Sequence, residues 1–120
     1  MIDRQMLEEL FVATRTARRE GHVTWDIDAA CRWSFFFVDD DRDRLIRAGD
    51  ALARAGYEVV GLLEPHEDDD DRETLYLRVD RVERHTVDSL LARNAELYAF
   101  AEAHGLGDYD GMDVGAIDAA

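Results

Sequence analysis

Four sets of side chains in this sequence are of types that do chemistry: the imidazoles of His22, His66, His85 and His104, the thiol of Cys31, the hydroxyls of Ser34 and Ser89, and the carboxylates of Asp68, Asp69, Asp70 and Asp71. A histidine pair that chelates metal from one helix needs its rings three to five positions apart, and no two of these histidines are that close. They read instead as surface residues in loops and at element ends. The run Glu67-Asp68-Asp69-Asp70-Asp71-Arg72 has the charge for a divalent cation. It lacks the alternating ligands, central glycine and distal glutamate of a calcium loop, and reads as the solvated tip of a hairpin. Ser34 and Ser89 lack a neighbouring base in sequence, and no glycine-rich phosphate loop occurs. Cys31 falls within a predicted strand, without the histidine or electropositive setting that makes a thiolate. It reads as a small buried hydrophobe in a reducing compartment. The expectation is a protein without catalytic residues, cofactor or metal.

Charge points elsewhere. The chain has 28 acidic residues against 14 basic ones, all of them arginine, for a net charge of -14 over 120 residues. Such a surface repels phosphate backbones, which argues against nucleic acid as a direct ligand and makes a basic protein segment an attractive partner. The competing reading is that acidity serves only solubility. Carboxylates with the exposure to meet a partner are expected at Asp39, Asp40, Asp41 and Asp43 and at the tip Asp68 to Asp71. A chain of this length suits one domain with a core of its own and no disulfide or metal staple. No apolar run approaches the length of a membrane span and Met1 opens into charged sequence, so neither span nor signal peptide is expected and the protein reads as cytoplasmic.

The elements that must position these residues follow from periodicity. Ile2, Met6, Leu10, Thr14 and Ala17 recur at helical spacing before Gly21, and Trp25 to Ala29 reads as a connector. Trp33-Ser34-Phe35-Phe36-Phe37-Val38 is too aromatic for a surface and reads as a strand. Asp39, Asp40 and Asp41 then offer helix-capping carboxylates, one to cap and two to stay exposed. The helix that follows carries Leu45, Ala48, Leu52 and Ala55 inward, with Asp43 to Arg47 and Asp50 to Arg54 as acid-before-base pairs on the wet side. Gly56 ends it, and Tyr57-Glu58-Val59-Val60 returns as a strand. Pro65 to Asp71 reads as a turn, leading to a strand from Glu73 to Asp80 that pairs as a hairpin with the one before it. Thr86 caps a last helix whose inward stripe is Val87, Leu90, Leu91, Asn94, Tyr98 and Ala101, and Gly105 closes it. Gly107 to Ala120 reads as an ordered turn and a short edge strand.

Without the first helix the order is βαββα(β), the pattern of a ferredoxin-like α+β sandwich with an antiparallel sheet. Alternation assigns Phe36, Val60, Leu62 and Tyr76 to the face away from the two helices. RNA-recognition modules of this fold stack bases on such a face, but Glu58 and Glu64 share the strand and no basic aromatic run is present. The N-terminal helix or a partner is expected to cover it.

Taken together, Phe35-Phe36-Phe37-Val38-Asp39-Asp40-Asp41, the helix end Ala55-Gly56-Tyr57-Glu58-Val59 and the later Tyr109-Asp110-Gly111 resemble, in order and spacing, the regulator of ribonuclease E activity B family, the RraB-type ribonuclease E inhibitors. The likeness runs from about Leu10 to Ile117. It implies a ferredoxin-like fold with an added helix, and a protein that binds the endonuclease largely through its scaffold region, changing RNA turnover without cutting RNA. Met112 stands where the family usually has tryptophan. The motif residues Gly56, Tyr57, Tyr109, Asp110 and Gly111 admit a structural role or a partner contact. In the structural role Tyr109 packs behind the last helix, Asp110 bonds backbone N–H groups and Gly111 takes a positive φ. Open alternatives are an acidic antagonist of another basic partner, such as an immunity-type protein or nucleic-acid mimic, a small ferredoxin-like enzyme, and a housekeeping domain.

Overall fold

Three aromatic rings on alternate residues of one strand organise the core. Trp33, Phe35 and Phe37 point from the strand Cys31–Asp39 (β1) to the same side of the sheet and are fully buried there. Each meets a ring from another part of the chain. Trp33 stacks with Phe11, ring centres 6.4 Å apart, Phe35 meets Tyr57 edge-on at 6.1 Å, and Phe37 contacts Phe100 and Tyr109 at 5.6 and 5.2 Å. Such contacts add directional packing to the burial of large apolar surfaces. The structure, a computed structural model, describes residues 1–63 and 74–119, so the expected hairpin tip at Asp68 to Asp71, His66 and the strand start at Glu73 lie outside the described residues.

In chain order the elements are α1 (Arg4–Arg19), β1, α2 (Arg42–Arg54), β2 (Glu58–Leu63), β3 (Leu75–Glu83), α3 (Val87–Ala103) and β4 (Asp108–Gly115). The sheet order β2-β3-β1-β4, antiparallel throughout, is that of the expected ferredoxin-like α+β sandwich with an added N-terminal helix. All three helices end alike. Gly21, Gly56 and Gly105 have positive φ, and the next N–H reaches back five residues, from His22 to the Ala17 carbonyl, Tyr57 to Leu52 and Leu106 to Ala101.

Several expectations need correction. α1 does not cover the far face of the sheet. It lies beside α3 among the helices, with Leu7 and Phe11 buried and Met6 half-exposed, so its inward stripe is shifted from the one expected through Met6. The Ile2 N–H donates to the Tyr98 hydroxyl at 3.0 Å and Arg4 pairs with Asp88 at 2.6 Å, fixing α1 to α3. Ala55 is exposed past the end of α2, and Arg54 donates to the Asp50 carbonyl rather than to its carboxylate. The connector before β1 contributes Ile27 to the core, and α3 contributes Leu97. A bulge between Val59 and Gly61 shifts the strand phase, so Leu62 pairs with Leu77 on the helix side instead of facing away. β3 runs on through Arg81, Val82 and Glu83, and β4 is eight residues long and includes the Tyr109-Asp110-Gly111 segment expected as a turn.

Candidate functional site

Asp39, Asp40 and Asp41 divide their work differently from expectation. Asp41 is the helix cap, accepting from the Arg44 N–H at 3.1 Å. Asp39 is only 5 % exposed. Its carboxylate accepts from the Asp40 and Asp41 N–H groups at 2.7 and 3.3 Å and from the Arg44 guanidinium at 3.0 Å. Burial works to raise this carboxyl, but these hydrogen bonds outweigh it and hold the group below its ordinary range. Of the three aspartates only Asp40 is exposed, together with Asp43 on the first turn of α2.

The motif residues around β4 and α2 have definite surroundings. Tyr109 is 1 % exposed, its hydroxyl donates to Asn94 Oδ1 at 2.6 Å, and Tyr98 meets its ring edge-on at 4.9 Å. Burial pushes its phenol up. Between Phe36 and Phe37 the pairing of β1 with β4 skips a residue, leaving Asp110 as the extra residue of a bulge and Gly111 at φ +120°. Asp110 is exposed and, among the described residues, bonds no backbone N–H, contrary to expectation. The bulge aims its carboxylate outward from an edge strand. Gly56 supplies the positive φ that turns the chain from α2 into β2, and Tyr57 then lies under Arg81 and Arg93, whose guanidinium carbons sit 5.1 and 5.8 Å from its ring centre.

A polar cluster that sequence reasoning missed lies beside this ring. His85, expected at the surface, is buried. Its Nε2 lies 2.5 Å from Glu83 Oε2 and its Nδ1 lies 2.9 Å from Ser89 Oγ, so Ser89 does have a base nearby. Serine, imidazole and carboxylate in series are the parts of a nucleophile relay. Here the serine serves the helix: Ser89 Oγ accepts the Thr86 N–H at 2.8 Å and lies 3.2 Å from the Thr86 carbonyl, while the Ser89 N–H donates to Thr86 Oγ1, closing a capping box. Glu83 also accepts from Arg93 and, at 2.9 Å, from Arg81. Burial opposes its ionisation, but Arg93 and His85 hold it below the usual carboxylate range. The only sequence signal for this cluster was the four-residue spacing from His85 to Ser89.

The Cys31 thiol is buried and donates to the Asp26 carbonyl at 3.1 Å, and burial pushes its pKa up, which suits a packing role. Among the described residues no group of three or more His, Cys, Asp or Glu is placed to hold a metal ion. A groove of about 710 Å³ beside the end of α1 is lined by Arg15, Arg18 and Arg19. Arg15 is held bidentate by Asp28 at 2.8 and 2.7 Å, and Arg18 lies 4.0 Å from Asp26, so much of the positive charge there is answered locally.

The face of the sheet opposite the helices is built in rows. Leu63, Tyr76, Val38 and Asp108 form one, Gly61, Arg78, Phe36 and Gly111 the next, and Glu58, Asp80, Ser34 and Asp113 the third. Asp80 is fully buried although no helix among the described residues covers it. Arg78 grips it through two bonds of 3.0 Å, and Arg32 reaches it at 3.2 Å while pairing with Glu58 at 2.8 Å. Burial works to raise the Asp80 carboxyl, but hydrogen bonds from Arg78, Ser34 and Arg32 keep it low.

The described residues form an α+β sandwich with their helices on one sheet face, while on the other face Arg32, Arg78 and Asp80 are tied to one another. Residues 17–114 match the family described as regulator of ribonuclease activity B, and the chain belongs to that family. The match covers β1 through most of β4 and leaves most of α1 outside it. No curated protein sequence matches the chain. Among the described residues no helix is long and apolar enough to cross a membrane.

Proposed function

We propose that this chain is a protein-binding regulator that inhibits or modulates a ribonuclease E-type endoribonuclease, and so RNA turnover, without catalysis of its own. The observation that carries this reading is the family match over residues 17–114. The net charge of -14 supports a basic region of the nuclease as the surface met, and speaks against direct contact with RNA. The chain would act as a single domain in the cytoplasm. Exposed Asp40 and Asp43 remain candidates for attracting the partner, as do Asp68, Asp69, Asp70 and Asp71 outside the described residues. Asp39 and Asp41 are engaged within the fold, so their contribution there is to position α2.

The test is reconstitution. Cleavage of a defined transcript by the source organism's ribonuclease E should slow when the purified protein is added, and deleting the nuclease's basic scaffold region should remove the effect. Unchanged cleavage, with no complex by gel filtration, would sink the reading. A complex with some other basic protein instead would favour the acidic-antagonist alternative, which the charge suits equally.

A further inference from the structure

We propose that the helix-free sheet face along β4 is a docking track for an extended, arginine-bearing segment of a partner protein, with Phe36 as the stacking platform and Asp108, Asp110 and Asp113 as the anionic rail. The inference rests on the protein-binding reading above and assigns it a surface. Three observations converge on it.

The first is charge. Arg32 and Arg78 on this face are tied to Asp80 and Glu58, two cations against two carboxylates, so that group is neutral. Asp108, Asp110 and Asp113 are exposed and form no ion pair among the described residues. Among the described residues the uncompensated charge of the face is therefore negative and lies on the edge strand β4. The second is space. Phe36 is half-buried; its β3 neighbour is Arg78, whose guanidinium is held by Asp80, and its β4 neighbour is Gly111, where an added Cβ would meet nothing within 4 Å. An aromatic ring beside bare backbone leaves room for a planar group to lie flat, and a guanidinium is both planar and cationic. The third is period. Asp113 shares a face with Gly111, and the bulge returns Asp108 to that face opposite Val38. Same-face residues on a strand recur about every 7 Å, the repeat of alternate side chains in an extended segment. Carboxylates on an edge strand also discourage aggregation, but that role requires neither Phe36 nor the space beside it.

The probe is a short fluorescein-labelled peptide alternating arginine with alanine, titrated against the full chain at low salt. Its anisotropy should report binding, and the amide shifts of the isotope-labelled protein should move along β4 and around Phe36. Phe36→Ala, and separately the triple change Asp108→Asn, Asp110→Asn and Asp113→Asn, should each weaken binding by about tenfold. The control pair Glu8→Gln and Glu9→Gln, exposed on α1, should change it less than about twofold. Replacing every arginine in the peptide by lysine should also weaken it several-fold, because lysine keeps the charge and loses the stacking plane. Should Phe36→Ala fail to fold, shift mapping and the arginine–lysine comparison on the unaltered protein still decide. Shifts confined to α2, equal binding of the two peptides, Phe36-dependent binding of a single-stranded RNA oligomer, or closure of the face by dimerisation would each overturn the proposal. If ribonuclease E is inhibited normally by the triple variant, this surface is wrong while the regulatory function stands. If neither peptide nor nuclease binds, both fail.

Discussion

Tyr109 and Asp39 show how a side chain that looks like a contact residue can be holding the fold. Tyr109 combines a buried ring with a hydroxyl bonded to the equally buried Asn94. Tyr109→Ala should destabilise the protein by about 3 to 5 kcal/mol, the range for losing a large core aromatic. Tyr109→Phe keeps the packing but strands the Asn94 oxygen, and should cost about 1 to 3 kcal/mol. Urea melts distinguish the two costs, and a Tyr109→Ala protein as stable as wild type would contradict the packing assigned here. Asp39 and Asp41 offer a second comparison. Removing the Asp41 cap by Asp41→Ala should cost about 1 kcal/mol. Asp39→Ala should cost more, about 2 kcal/mol, because it leaves two backbone N–H groups and a guanidinium without their shared acceptor. Three consecutive aspartates are indistinguishable in sequence. Only the strand phase, which turns Asp39 to the helix side with Phe37 and Phe35, separates the buried one from the cap and the free one.

At the level of elements, the readable parts were those governed by local rules and the unreadable ones those governed by a single extra residue or by docking. The aromatic β1 strand, the Thr86 cap and the stops at Gly21, Gly56 and Gly105 follow from propensity and capping, and the structure has them. Strict alternation places Leu62 on the far face, but the bulge at Val60 turns it to the helix side opposite Leu77. The position of α1 depended on a choice between two faces, decided by Phe11 meeting Trp33 and by the Tyr98 hydroxyl accepting from Ile2, both far apart in sequence. The β4 bulge provides an element-scale test. Gly111→Ala places a side chain at φ +120° and should cost about 1 to 3 kcal/mol through backbone strain, although the added methyl has room. A lower urea midpoint with an unchanged denaturant slope would show a local cost, whereas a changed slope would indicate that β4 has lost its pairing.

For the whole molecule, acid should be the effective denaturant. Asp39, Asp80 and Glu83 all have carboxyls held below their ordinary range in the folded protein. Their contribution is fully present above the unfolded-state values near pH 4 and is lost as pH falls through the lower folded values. Stability measured by urea denaturation should therefore drop steeply below about pH 4, and Asp80→Asn should flatten that limb while lowering stability at neutral pH. A pH profile that stays flat below pH 4 would contradict the ion pairing described for these groups. The net charge of -14 adds to stability on mild acidification, since protonating exposed carboxylates relieves their mutual repulsion.

Asp80 carries one more consequence. Because Arg78 and Arg32 already clasp it on the sheet face opposite the described helices, the long side chains there have surrendered their rotamer freedom before any partner arrives. A ligand settling on that face would find it pre-ordered, and the entropic penalty of association would fall mainly on the ligand. Loosening the clasp by Arg78→Ala should thus show up in calorimetry as a less favourable binding entropy, even for a ligand that never touches residue 78.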